Sequence, residues 1–228
     1  MADKIDYLLQ DSGALILAVD NNREAMNAKG FKDSTYSALT DARQNLFTKE
    51  TAQQRAAELA GKKTAEQNLL VKETRQLIQN VKNAVKSAYG KDEAKLRPFK
   101  VGEEVPASVK KLSTTCEYLS ALVIEHHDVL LDNGLTEDDI ESVHEASATL
   151  NTLDAVQENS KKLKVSATLT RDQAAENLKD KMYRVRSFAK TCFAGNKEIL
   201  LQFKPVPKGR AAGSEKEETA VESNTAAV

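Results

Sequence analysis

The chain has no tryptophan, and in 228 residues it has nine glycines, four prolines and 5% aromatics. Sheet proteins draw their strands from β-branched and aromatic residues and their turns from glycine and proline, so this shortage argues against a sandwich or barrel. Only Cys116 and Cys192 occur, without CxxC or His-linked spacing. That excludes a disulfide framework and the common zinc motifs, and reads as two small buried residues in a reducing compartment. The longest apolar run, ALILAV at residues 14–19, falls far short of the roughly 18 residues that a membrane span requires. The start, MADKIDYLLQD, lacks the basic n-region and cleavage site of a signal peptide. The expectation is a cytoplasmic protein with no membrane span. No charge of one sign dominates, with 33 basic against 34 acidic residues and a formal net charge of -1. Bulk attraction to nucleic acid has no basis in such a balance, and nucleic acid is not expected as a partner.

Absent too are a glycine-rich phosphate loop, a nucleophile elbow and any histidine paired by motif with serine or cysteine. No enzymatic activity and no cofactor are expected. What is abundant is charge, at 29%, within 40% hydrophobic residues rich in alanine, a mixture that favours long helices.

Helical periodicity runs through the chain. Ile5, Leu8, Leu15, Val19 and Met26 share one face and predict a helix over residues 3–29, stopped by Gly30 with Phe31 following. Asp33 or Ser34 can cap the next helix, and no proline interrupts it before Pro98. A helix reaching Tyr89 would be about 85 Å long at 1.5 Å per residue. Its middle, KETAQQRAAELAGKKTAEQ, offers mainly alanine as an apolar face and should be its least stable part. Residues 90–106 read as a linker with a short extended LRPFK.

A helix over residues 107–132 follows, with Val109, Leu112, Cys116, Leu119, Val123 and Leu130 in phase. Gly134 then marks a turn. Leu135 and Ile140 are spaced as a hydrophobic staple, and Thr136 with Asp139 occupies the positions of a capping box, with aspartate in place of the usual glutamate or glutamine. From Thr136 no glycine or proline intervenes until Gly195, so a second long helix is expected, with Thr168 and Thr170 as its weakest point. Residues 205–210 form an extended basic stretch. Residues 209–228 read as a disordered acidic tail.

Sliding the sequence by 104 residues superposes Ile5 on Val109, Leu8 on Leu112, Leu15 on Leu119, Met26 on Leu130, Gly30 on Gly134 and Phe31 on Leu135. Farther on, Leu59 meets Leu163, and Leu96, Phe99 and Lys100 meet Leu200, Phe203 and Lys204. This predicts a repeat: residues 1–104 and 105–208, each a short helix, a glycine turn and a long helix, together one domain. The expected fold is all-α, an elongated helical bundle of two pseudo-repeated units. Two long antiparallel helices would have a short helix packed at each end, the short loops forcing each hairpin.

One constellation carries chemistry. All three histidines lie in residues 125–147, where Glu141-x-x-His144 has the spacing that helical di-metal sites use, and His126, His127, Glu125 or Glu145 stand ready to complete a site across the hairpin. The repeat weakens this, because His126, His127 and His144 superpose on the polar residues Asn22, Arg23 and Thr40, which places them at a polar edge. Lys179, Lys181, Arg184, Arg186 and Lys190 spread around their helix and form no binding stripe. The function expected is therefore protein–protein interaction or scaffolding, including self-association through the long helices. The alternative is a metal-binding bundle using the 125–145 hairpin.

Overall fold

A computed structural model describes residues 2–207; the tail at residues 209–228 lies outside the described residues. The fold is all-α, with no strand among the described residues. In chain order the helices are α1 (Ala2–Asn21), α2 (Arg23–Ala28), α3 (Asp33–Tyr89), α4 (Glu93–Leu96), α5 (Val109–Glu125), α6 (His127–Leu131), α7 (Glu137–Cys192) and α8 (Lys197–Gln202). Both long helices are continuous, α3 over 57 residues and α7 over 56. The threonines at 168 and 170 do not interrupt α7: each hydroxyl donates to a carbonyl of the preceding turn, which satisfies it inside a helix.

The chain divides into two compact units. The first comprises Met1–Arg43 with Leu178–Val228, and the second is Gln44–Asn177. Each unit draws on both sides of residue 104.

In the first unit, Ile5, Leu8, Leu15 and Val19 of α1 are buried together with Met26, Phe31 and Leu39. From the other stretch of chain come Leu178, Met182, Val185 and Phe203, also buried. Phe31 tilts against Phe188 at 5.2 Å between centroids, and Phe193 stacks on Phe203 at 5.8 Å. The second unit has a continuous core of Ile78, Val81 and Val85 from α3, Phe99 from the following turn, then Leu112, Leu119 and Val123 from α5, and Leu130, Val143 and Leu150 beyond it. Each such side chain removed from water contributes about 1.5–3 kcal/mol.

The two hairpins close in the same way. Phe31 N–H donates to Met26 O (3.0 Å) and Gly30 N–H to Asn27 O (2.9 Å); Leu135 N–H donates to Leu130 O (3.0 Å) and Gly134 N–H to Leu131 O (3.2 Å). These are the paired bonds of a Schellman motif, which needs a left-handed residue after the helix, and Gly30 and Gly134 supply it with φ of +90° and +99°. The capping box forms with aspartate: Asp139 N–H donates to Thr136 Oγ1 (3.1 Å), and Thr136 N–H donates to Asp139 Oδ2 (3.1 Å). Leu135 and Ile140 are both buried beside it.

Several expectations are corrected. The predicted helix over residues 3–29 is broken at Asn22, and the one over 107–132 at His126. Asn22 Nδ2 donates to Ala18 O (2.8 Å), so the side chain competes with the backbone for the carbonyl one turn earlier. The LRPFK segment is a turn rather than an extended strand: Lys100 N–H donates to Arg97 O (3.0 Å), with Pro98 in the second turn position, where its fixed φ is favoured. The linker also holds α4, capped by Asp92, whose Oδ1 accepts from Ala94 N–H (3.1 Å). Cys116 is buried but Cys192 is only half-buried, because it ends α7 with its thiol toward Ala25 O (3.8 Å).

Gly134→Ala forces a Cβ into the left-handed region and is expected to cost more than about 1 kcal/mol. Gly61→Ala, mid-helix with open space at its Cβ, is expected to add about 1 kcal/mol. Urea denaturation followed by circular dichroism checks the opposite signs.

Candidate functional site

The 125–145 hairpin is positioned by the turn just described, and the structure assigns each histidine its own neighbours. His126 sits at the break between α5 and α6 with Nδ1 2.9 Å from the Tyr89 hydroxyl. Its ring meets Tyr89 edge-on (5.8 Å) and tilts against Phe99 (5.4 Å), making an aromatic cluster at the end of α3. His127 links α6 to the first turn of α7: Nδ1 is 2.9 Å from Asp128 Oδ1, and Nε2 is 2.9 Å from Glu137 Oε2. Hydrogen bonds that the ring donates to the Asp128 and then the Glu137 carboxylate favour its protonated form and push the His127 pKa upward. His144 pairs with Ser120, Nδ1 to Oγ at 3.0 Å. Glu125, Glu141 and Glu145 are exposed.

His126, His127, Glu141 and His144 are thus not brought into one ligand set. Among the described residues no group of three or more His, Cys, Asp or Glu stands placed to hold a metal. The reason is geometric: His126 turns into an aromatic cluster, while His144 turns to a serine on α5.

Polar chemistry concentrates elsewhere, along the contact of α3 with α7 in the second unit. Between Leu46 and Ile78 of α3, the buried residues are Glu50, Ala60, Gln67 and Thr74. On α7 between Leu150 and Leu178 they are Gln157, Ser160, Arg171, Ala174 and Ala175. Gln67 Nε2 donates to Asp154 Oδ1 (2.7 Å), Gln157 Nε2 reaches Thr64 Oγ1 (3.4 Å), and Arg171 Nη1 stands 3.6 Å from Glu50 Oε2. The three paired positions share one sum of residue numbers, as two antiparallel helices in constant register require. Glu50 Oε1 accepts from Gln54 Nε2 (3.0 Å), whereas Oε2 is buried without a hydrogen-bond partner. Arg171 also forks onto Asp172 Oδ1 through Nε (3.0 Å) and Nη2 (2.7 Å).

Beside this seam, several large apolar side chains stand exposed among charged residues. Of thirteen exposed large hydrophobic side chains among the described residues, seven belong to these two stretches: Phe47, Leu59 and Leu69 on α3, and Val156, Leu163, Val165 and Leu169 on α7.

Comparison with protein-family models, curated proteins and solved structures finds no match for the chain.

One cation fastens the returning chain in each unit, Arg186, half-buried, in the first and Lys82, buried, in the second. In the first, Arg186 donates from Nε to Phe203 O (2.9 Å) and from Nη2 to Asp11 Oδ1 (2.8 Å), and Asp11 also accepts from Val206 N–H (2.8 Å). In the second, Lys82 Nζ donates to Glu103 O (2.8 Å), and burial pushes its pKa down. Of the basic residues at 179–190, Arg186 is therefore structural, and Arg184 pairs with Asp180 (3.0 Å). Sequence reasoning missed the polar layers and these clamps. The available signal was that Glu50 and Asp154, and Lys82 and Arg186, lie 104 residues apart with their chemistry kept.

Arg171→Ala leaves Glu50 buried beside no cation and is expected to cost about 3–5 kcal/mol, whereas Glu50→Leu with Arg171→Met is expected to be neutral or stabilising; guanidinium titrations compare the two. Because the His127 pKa is raised on folding, its contribution is fully present below the unfolded value of about 6.5 and is lost as pH rises through the folded value. Proton NMR should show His127 titrating above a histidine in an unfolded peptide, and His127→Gln should flatten the stability profile in that window.

Proposed function

We propose that the chain is a non-enzymatic helical protein of the cytoplasm that acts as a scaffold through protein–protein contact, built by duplication of a hairpin unit. The observation that carries the contact reading is the stretch of α3 and α7 in the second unit, where the buried seam is polar and small and seven large apolar side chains stand exposed among charged ones. A free-standing helix pair gains most by burying its large apolar residues. Seven of them left facing outward are accounted for when another protein covers them.

The duplication reading is supported by the offset of 104, which relates the starts of α3 and α7 (Asp33, Glu137), the starts of α4 and α8 (Glu93, Lys197), and the helix breaks (Asn22, His126). It also carries the Glu50–Arg171 layer onto Asp154–Gln67, a carboxylate facing a side-chain donor each time. The cytoplasmic part rests on the two free cysteines, Cys116 and Cys192.

Affinity capture with the whole chain from its native host, read by mass spectrometry, is expected to return a specific protein in near-stoichiometric amount. Elemental analysis of the same material is expected to show metal only below stoichiometry. A chain recovered alone, with metal in whole-number ratio, would replace this reading by the metal-binding one.

A further inference from the structure

Between α3 and α7 of the second unit runs a concave strip lined mainly by apolar and small residues. Ala57, Ala60 and Gly61 of α3 form the floor and one wall of a groove of about 630 Å³, and Lys164, Val165 and Leu169 of α7 form the other wall. Val165 and Leu169 are 60% and 59% exposed, one turn apart on the same helix. Gly61 has nothing within 4 Å of where its Cβ would be, so the floor is open to a side chain from outside.

The charged residues that line this groove are both lysines. The nine residues that line it include Lys161 and Lys164 and no carboxylate. Lys161 is paired with Glu158 (2.7 Å), and on α3 the nearby charges pair among themselves, Lys62 with Glu58 (2.8 Å) and Lys63 with Glu66 (2.7 Å). Lys164 forms no ion pair among the described residues and stands at the apolar rim.

A concave apolar strip between two helices is the shape that receives the apolar face of a third, whose anchors recur at i, i+3, i+4 and i+7. The rim then selects the charge of that helix. A second copy meeting this one about a twofold axis would present the same patch to itself and set lysine against lysine. A helix flanked by carboxylates meets Lys164, the lining lysine without an ion pair among the described residues, with opposite sign, which favours the encounter and its register.

We propose that this groove docks an acidic amphipathic helix of a partner protein; the proposal rests on the contact reading above and names the partner's chemistry. The probe is a fluorescent synthetic helix of about 18 residues with leucines at those spacings and glutamates beside them; its twin carries lysines instead. Titrated with the full chain, the acidic peptide is expected to bind at least about tenfold more tightly than its twin and to weaken with salt. Gly61→Leu, which fills the floor while raising helix propensity, and Lys164→Glu are each expected to weaken it by about tenfold or more. Circular dichroism confirms that both variants fold.

Equal affinity for the two peptides, or unaltered binding by Gly61→Leu, overturns the proposal. Dimerisation that Gly61→Leu abolishes would assign the groove to a second copy. Preference for phosphatidylserine vesicles or single-stranded RNA, lost in Lys164→Glu, would assign it to an anionic surface or polymer, and either result overturns the acidic helix. A native partner retained equally by wild type and Gly61→Leu overturns the groove alone and leaves the contact reading standing. Failure to retain any partner removes the contact reading and the groove with it.

Discussion

The register between α3 and α7 in the second unit depends on two polar layers, Gln67 with Asp154 and Glu50 with Arg171. Helices that meet through alanine and serine slide easily, because a shift of one turn replaces one small residue by another and changes little buried area. A buried carboxylate cannot shift at so low a cost, since moving it from its donor strands a charge in a poorly solvated seam. These layers therefore do for position what large apolar residues do for stability elsewhere. The compromise is visible in Glu50, whose second oxygen finds no hydrogen bond.

Local signals made the hairpins legible in the sequence. Gly134, Thr136, Asp139 and the Leu135–Ile140 spacing act within a few residues of one another, so no tertiary knowledge is needed to place them. The length of the long helices was legible for the same reason, as nothing within α3 or α7 forbids helix. The breaks at Asn22 and His126 were not, because spacing alone does not reveal their partners: Asn22 bonds Ala18 O within its own chain segment and also reaches Gln202 Oε1 (2.9 Å), and His126 reaches Tyr89. Pro98 misled because proline serves extended chain and turns alike. At the candidate site, spacing placed Glu141 and His144 near each other on a helix, but it carried no information about Ser120, which takes the histidine.

Chain connectivity makes the two units unlike in folding. The second is one continuous stretch, and its closures run from the short hairpin at Gly134 to the seam pair of Glu50 with Arg171. The first joins residues from both ends of the described chain and must bring them together across the whole of the second. Loop-closure entropy is lowest for the first unit once the second has already shortened the path between its two pieces. The clamp of Arg186 on Asp11 and the Phe203 carbonyl belongs to the unit with the larger closure cost, and it uses an ion pair to a buried carboxylate where the second unit uses Lys82 on a single carbonyl.

Each unit also contains one cysteine, and the two differ in reach. Cys116 is buried in the second unit, and burial pushes its pKa to about 11, so its thiol reacts when that core opens. Cys192, at the end of α7 in the first unit, is half-buried. The chain thereby contains its own pair of chemical clocks, and the rates at which a disulfide reagent modifies the two thiols separate the opening of one unit from that of the other without any label being introduced.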